Sequence, residues 1–323
     1  MDKRKEFKAD MLLLLIAFFW GLSYLSMDVA LKDVDVFNLN VIRFLGAFVI
    51  VGVFSIKRLL KVNRQTIKAA VVVGACLAMT YVGATAGLKY TTISNSAFLC
   101  STTVLFVPFF DFLFFRKKTS PKILIAVFVA AIGIALMTLK DDFSIDTGHL
   151  KGDLISLTCG IFYAMDLVWT QHFLQDKRVQ PFQMGLLSIG VVGILMIPAT
   201  LIAENPHLPK SQSIWMTVIF LTIFCTAFSF IAQPIAQMHT ETSHAGIILS
   251  MEPVFASMSA FLLAGEVATP KGYLGQAILI LTIIFMELDT EDCFEGIKRK
   301  FGKRKPDGFE SGNQYNREKN SQR

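Results

Sequence analysis

Apolar runs of about twenty residues alternate with short polar stretches along nearly the whole chain. A helix needs about 20 apolar residues to cross a hydrocarbon core about 30 Å thick, since each residue adds about 1.5 Å. Ten stretches meet or approach that length: 11–29, 37–56, 67–87, 94–115, 123–139, 152–173, 182–203, 214–233, 245–264 and 273–286. The polar connections are mostly 5–13 residues long, too short for a soluble domain. The pattern predicts an all-α integral membrane protein of ten transmembrane helices. The opening MDKRKEFKADMLLLLIAFFW has the charged-then-apolar profile of a signal peptide, but lacks a small-residue cleavage site and is read as the first helix.

Two polar-to-apolar transitions in this pattern are copies of each other. Thr91–Lys122 aligns without a gap onto Thr240–Lys271, with eight of 32 positions identical. Shared greasiness explains Phe106/Phe255 or Leu113/Leu262, but not Ser94/Ser243, Ser101/Ser250, Pro121/Pro270 and Lys122/Lys271 at one constant offset. A weaker echo relates AFFWGLSY (17–24) to GIFYAMDL (160–167). Five helices per half make the second copy enter the membrane upside down, so the expected fold is two inverted five-helix repeats around a site between them. The expected division is a basic N-terminus (1–10), a first repeat (11–140), a second repeat (150–288) and a charged, disordered tail (289–323). Gly83 and Gly87 form a G-x-x-x-G pair, read as close packing within the chain in preference to a dimer face.

Composition agrees with the membrane reading: 53% of residues are hydrophobic, 17% are charged, and 29 are Phe. The net charge of +6 could suggest a nucleic-acid partner, but its distribution argues otherwise. With the N-terminus inside, 24 Lys and Arg residues fall on the inner side and six on the outer, while Arg43 lies within a span. That is the bias expected of a multi-pass protein in a cell membrane with both ends cytoplasmic. Four of the five cysteines (Cys76, Cys100, Cys159, Cys225) lie inside spans and read as small packing residues, not a disulfide framework. Short loops and the lack of an N-x-[ST] sequon fit a bacterial plasma membrane.

Several segments together resemble the ten-helix EamA-type branch of the drug/metabolite transporter superfamily. They are FFWGLSY in the first helix, VIRF (41–44) in the second and GLKYTTISNSAFL across the third and fourth. In the second half they are SMEPVFASMSAFLLAGE (250–266) and the PKGYLGQAILI that follows. The resemblance covers roughly 10–290 and implies export of amino acids or other small metabolites from a central cavity between the repeats. Two positions depart from the family pattern: Lys117 where Glu is usual, and Thr103-Val104 where an Xaa-Pro pair is common.

Ionisable side chains within a bilayer are costly and tend to mark transport paths. Glu252 is the deepest of them, followed by Pro253, whose missing N–H and clash with the carbonyl of Leu249 create a weak point. Pro108 is the corresponding candidate bend in the first half. Asp166 and Tyr163 share a face of the sixth helix, as do Trp20 and Tyr24 in the first, and Tyr81 adds a hydroxyl from the third. A carboxylate among aromatic rings suits an ammonium group, which makes an amino acid or amine the preferred substrate. For any one ring, packing or interface anchoring is the commoner role. Ser101 belongs to an unusually polar half of the fourth helix, although Ser and Thr can satisfy themselves on the backbone. The candidate cavity set is thus Trp20, Tyr24, Tyr81, Ser101, Tyr163, Asp166 and Glu252. Arg43 and Asp28, at similar outer depth, are expected to form an ion pair or gate.

His239, Glu241 and His244 are too loosely clustered to predict a metal site. GIKRKFGKR (296–304) has the wrong glycine spacing for a phosphate loop, and no HExxH or GxSxG occurs, so neither a cofactor nor enzymatic chemistry is expected. The expected function is secondary transport of a small polar metabolite outward by alternating access, driven by the substrate gradient alone or with protons. The alternatives are a transporter of another solute class, nucleotide-like or drug, and a membrane-embedded lipid-handling protein or enzyme. Expected partners are a small molecule and the lipid bilayer, with no nucleic acid; two fused repeats make a monomer sufficient and leave a dimer open.

Overall fold

A computed structural model describes residues 3–138, 150–264 and 270–287, and is helical throughout, with no strand among them. The expected tail (289–323) and most of the loop between the halves lie outside the described residues. The first half comprises α1 (Lys3–Ala30), α2 (Val36–Phe54), the single turn α3 (Ile56–Leu59) and α4 (Arg64–Leu88). It continues with α5 (Ile93–Ser101), α6 (Thr103–Phe115) and α7 (Pro121–Thr138). The second half opens with α8 (Leu150–Leu174) and α9 (Pro181–Ala203). Its third span joins α10 (Gln212–Phe220), a π-helical segment (Leu221–Phe228) and α11 (Ser229–Gln237). Its fourth joins α12 (Thr242–Leu249), α13 (Glu252–Ser259) and a second π segment (Ala260–Ala264), before α14 (Pro270–Glu287). Among the described residues, eight spans are long and apolar enough to cross a membrane, and Pro121–Gly133 within α7 is a shorter apolar stretch. The 18 residues of α14 reach about 27 Å at about 1.5 Å each.

Boundaries differ from the apolar pattern where local chemistry extends or interrupts a helix. The first helix begins at Lys3, not 11, because Lys, Arg, Glu and Ala favour helix even outside hydrocarbon. The fourth and ninth spans each break once, at Thr102 and at Ser250–Met251, which the repeat alignment makes equivalent. At the second break Pro253 sits in the first turn of α13, where its missing N–H costs no helical bond. The first break has no proline. There, the hydroxyls of Ser101 and Thr103 turn back onto the carbonyls of Ala97 and Cys100, at 3.0 and 2.6 Å. Pro108, expected to mark a bending helix, lies inside α6, six residues beyond the break.

The packing between halves is reciprocal. The echo and duplication relate α1 to α8, α2 to α9, α4 to the α10–α11 span, and α5–α6 to α12–α13. Accordingly α1 packs on α12 and α13 while α8 packs on α5 and α6. Likewise α1 packs on α10 and α11 while α8 packs on α4, and α2 lies directly against α9. Gly133 of α7 faces Gly275 and Ile278 of α14. These interhalf contacts come in counterpart pairs, as an approximate two-fold axis requires, and the odd number of spans per half makes the repeats inverted.

Close approach relies on small residues. A Cβ at Gly83 or Gly87 would strike the backbone of Cys159 or Ser156, so the G-x-x-x-G pair seats α4 against α8 within the chain. Loop contacts repeat the symmetry. At one membrane face Asn63 Nδ2 donates to Arg178 O at 2.6 Å and Gln183 Nε2 to Arg58 O at 2.8 Å. At the other, the Glu204 carboxylate accepts from the N–H groups of Phe37 and Asn38 at 2.9 and 2.8 Å. Asp35 makes no side-chain cap of its own, so Glu204 supplies the missing cap of α2 from the far end of α9.

Candidate functional site

The break before α13 places Glu252 in that helix's first turn, where unsatisfied N–H groups favour a negative charge. This offsets part of the penalty of holding a carboxylate at mid-membrane depth. Glu252 retains some accessible surface, and it faces a cavity at the meeting of the two halves. The cavity wall also includes Trp20, Ser23, Tyr24, Tyr81, Tyr163 and Phe230. Its volume is about 30 Å³, enough for about one or two waters. That space is too small for a metabolite, so a larger solute enters only when the halves part.

An aromatic cage holds this closed shape. Trp20 and Tyr163, which the echo between α1 and α8 aligns, meet edge to face at 5.4 Å, so the approximate axis passes between them. Phe230 lies 5.1 Å from Trp20 and 5.7 Å from Tyr81, centroid to centroid. Such pairs are each worth about 0.5–1.5 kcal/mol beyond burial. The π segment sets the cage's far wall. Its wider turn lets the Cys225 carbonyl accept from Trp20 Nε1 at 3.1 Å, and Thr226 bonds back to Leu221, five residues earlier, at 2.8 Å. Tyr24 and Glu252 share the cavity wall.

Arg43 occupies an unexpected place. It is fully buried and turned inward, with Nε donating to Thr226 Oγ1 at 2.9 Å. Its guanidinium stacks 4.6 Å from the Tyr81 ring and reaches Met27 Sδ at 3.4 Å, and both of those residues line the cavity. Among the described residues no carboxylate pairs with it. Asp28, the expected partner, is bound to Lys32 at 3.3 Å, in the turn that follows its own helix. The Asp28–Arg43 pair is thus replaced by two separate arrangements, because the helical direction of α2 carries the Arg43 stem inward.

The structure brings five of the sequence-predicted residues to this cavity: Trp20, Tyr24, Tyr81, Tyr163 and Glu252. Ser101 and Asp166 are not among the lining residues. Ser101 is occupied by its own helix, and Asp166 is buried one turn beyond Tyr163, accepting from Gln233 Nε2 at 3.2 Å. Sequence reasoning missed Phe230, Thr226, Gln233 and Ser23. The polar Gln233 and Gln237, four apart in an apolar span and flanking Pro234, were the available signal. Nothing in the pattern announced the π segment. Among the described residues, no group of three His, Cys, Asp or Glu side chains is placed to hold a metal.

Comparisons with known proteins converge on this architecture. Two uncharacterized transporters of Archaeoglobus fulgidus are 24% identical. One aligns over 284 residues, 88% of this chain and 87% of its own length; the other over 267, 80% and 90% respectively. An uncharacterized transporter of Haemophilus influenzae is 26% identical over 141 residues, 43% of this chain and 82% of its own. A solved crystal structure superimposes with a TM-score of 0.71 at 13% identity, covering 86% of this chain and 96% of its own. That likeness concerns fold alone. The profile of the EamA-like transporter family matches twice, over residues 7–139 and again over 150–288. Two tandem matches, spanning nearly all of the helical region, place this chain in the EamA-like transporter family.

Proposed function

We propose that this transporter exports a small zwitterionic metabolite of amino-acid type by alternating access through the central cavity. The observation that carries the reading is the charge arrangement. A carboxylate, Glu252, lines one side of the cavity, and the buried guanidinium of Arg43 stands behind Met27 and Tyr81 on another. An ammonium group suits Glu252 and the rings of Trp20, Tyr24 and Tyr163. A carboxylate suits Arg43, whose planar fork matches it. A simple amine would leave the guanidinium without an anionic partner, which favours the zwitterion.

The repeats, taken as 11–140 and 150–288, rock about the approximate axis, and the breaks at Thr102 and Ser250–Met251 are the hinges within them. In this reading both termini and the charged tail are cytoplasmic and the membrane is a bacterial plasma membrane; the distribution of Lys and Arg and the short loops support it. The substrate gradient drives transport, alone or with a coupled cation.

Binding to purified full-length protein tests this directly, because Trp20 reports from the cavity wall. Zwitterionic amino acids should change tryptophan fluorescence saturably in the wild type, whereas their decarboxylated amines and deaminated acids should bind at least about tenfold more weakly. Equal responses to amine and amino acid would reject the zwitterion reading.

A further inference from the structure

The polar groups on α8 beyond the cavity are not explained by substrate binding. Tyr163, Asp166 and Thr170 lie at i, i+3 and i+7, on one stripe of the helix. Gln233 of α11 reaches this stripe, with Nε2 3.2 Å from Asp166 Oδ2, and Gln237 extends the row by donating to Leu167 O at 3.4 Å. Asp166 and Gln233 are each 2% exposed and Thr170 is 1% exposed. Asp166 has no ion-pair partner among the described residues. Four oxygens of this row have no hydrogen-bond partner: the Tyr163 hydroxyl, Asp166 Oδ1, Thr170 Oγ1 and Gln233 Oε1.

Buried polar atoms are rarely left unsatisfied, so these oxygens call for partners, and those of Asp166, Thr170 and Gln233 lie beyond the cavity. All are oxygens, one from a carboxylate, one from an amide and two from hydroxyls, which is the ligand chemistry of a hard cation. A single carboxylate balances a single positive charge and falls short of the several that magnesium or calcium sites employ. A proton on Asp166 would satisfy one acceptor and leave the others, whereas a metal ion takes several oxygens at once. We propose that Asp166, Gln233 and Thr170 bind a sodium ion at a site distinct from the cavity, one helical turn beyond Tyr163 along α8. Tyr163 belongs to both, since its ring lines the cavity and its hydroxyl stands on the row. Sodium there would fix α8 against α11, and so fix the wall that Tyr163 and Phe230 present to the substrate. The ion would thereby be coupled to the transported solute without touching it.

The test needs no transported solute, so it stands or falls separately from the substrate reading. The thermal midpoint of purified full-length protein is measured in sodium chloride, potassium chloride and choline chloride at equal ionic strength. An ion that binds only the folded state raises the midpoint saturably. Wild type should show a sodium-dependent rise that potassium and choline do not reproduce. Asp166→Asn should abolish it, Gln233→Met should require at least about tenfold more sodium for half the effect, and Glu252→Gln should retain it. If Asp166→Asn does not fold, wild type and Gln233→Met decide. No sodium dependence in wild type, an unchanged response in Gln233→Met, loss of the response in Glu252→Gln, or a response to pH alone would each overturn the site.

Discussion

Two buried charges set the chemistry at the scale of the residue. Glu252 is tolerated because the helix starts anew at that point, and Arg43 because Thr226, Tyr81 and Met27 surround its guanidinium. Removing either charge without altering shape should affect recognition before folding. Arg43→Gln should reduce zwitterion affinity by about 10–100-fold, since hydrogen bonds to charged groups contribute about 1.5–3 kcal/mol. Binding of the corresponding amine should change far less, and titration of tryptophan fluorescence with both ligands separates the two outcomes. Glu252 was legible in the sequence because a carboxylate is conspicuous in an apolar run. The role of Arg43 was not, since the pattern gives depth along a helix but not the direction in which a long side chain turns. The same limit explains Asp166, which shares a face with Tyr163 yet stops one turn short of the cavity.

Helices and their breaks follow next in scale. The ten apolar spans were readable because hydrocarbon thickness fixes their length, but the break at Thr102 was not, since no proline marks it. The hydroxyls of Ser101 and Thr103 bond to backbone carbonyls beside the junction, but the same bond made by Thr80 and Thr200 leaves their helices unbroken, so the pattern carries no signal for this break. Close packing of α4 on α8 leaves no room for a side chain at Gly87, so Gly87→Val should destabilise by about 1–3 kcal/mol, read as a lowered thermal midpoint. The outer tie between the α1–α2 and α9–α10 loops makes a pH prediction. His207 Nδ1 and Nε2 face the carbonyl oxygens of Asn205 and Asp33 at 2.9 and 2.8 Å, and only the imidazolium can donate to both. These bonds raise the pKa of His207 above 6.5. The tie is therefore at full strength below pH 6.5 and is lost as pH rises through the raised value. Hydrogen exchange at residues 33–38, corrected for its intrinsic pH dependence, should accelerate over that interval in wild type. In His207→Gln it should show no such step.

The whole molecule is two copies of one plan, and its function depends on their relation. Reciprocal contacts, α1 with α12 and α13 against α8 with α5 and α6, bring Trp20 and Tyr163 together on the approximate axis. The duplication of Thr91–Lys122 in Thr240–Lys271 made this arrangement legible, because a constant offset implies equivalent positions. The departures from symmetry were less so. The acid at Glu252 answers to Thr103, the π segment of the second half has no described equivalent in α4, and both alter the site more than the scaffold. The cavity of about 30 Å³ is too small for a metabolite, so transport requires the halves to part. The most direct test compares metabolites released from cells expressing wild-type protein, Glu252→Gln or no transporter, by mass spectrometry at matched membrane expression. Release of an amino-acid-like zwitterion by wild type alone is the predicted result. Equal release by well-expressed Glu252→Gln would contradict the central claim that solute passes through this cavity.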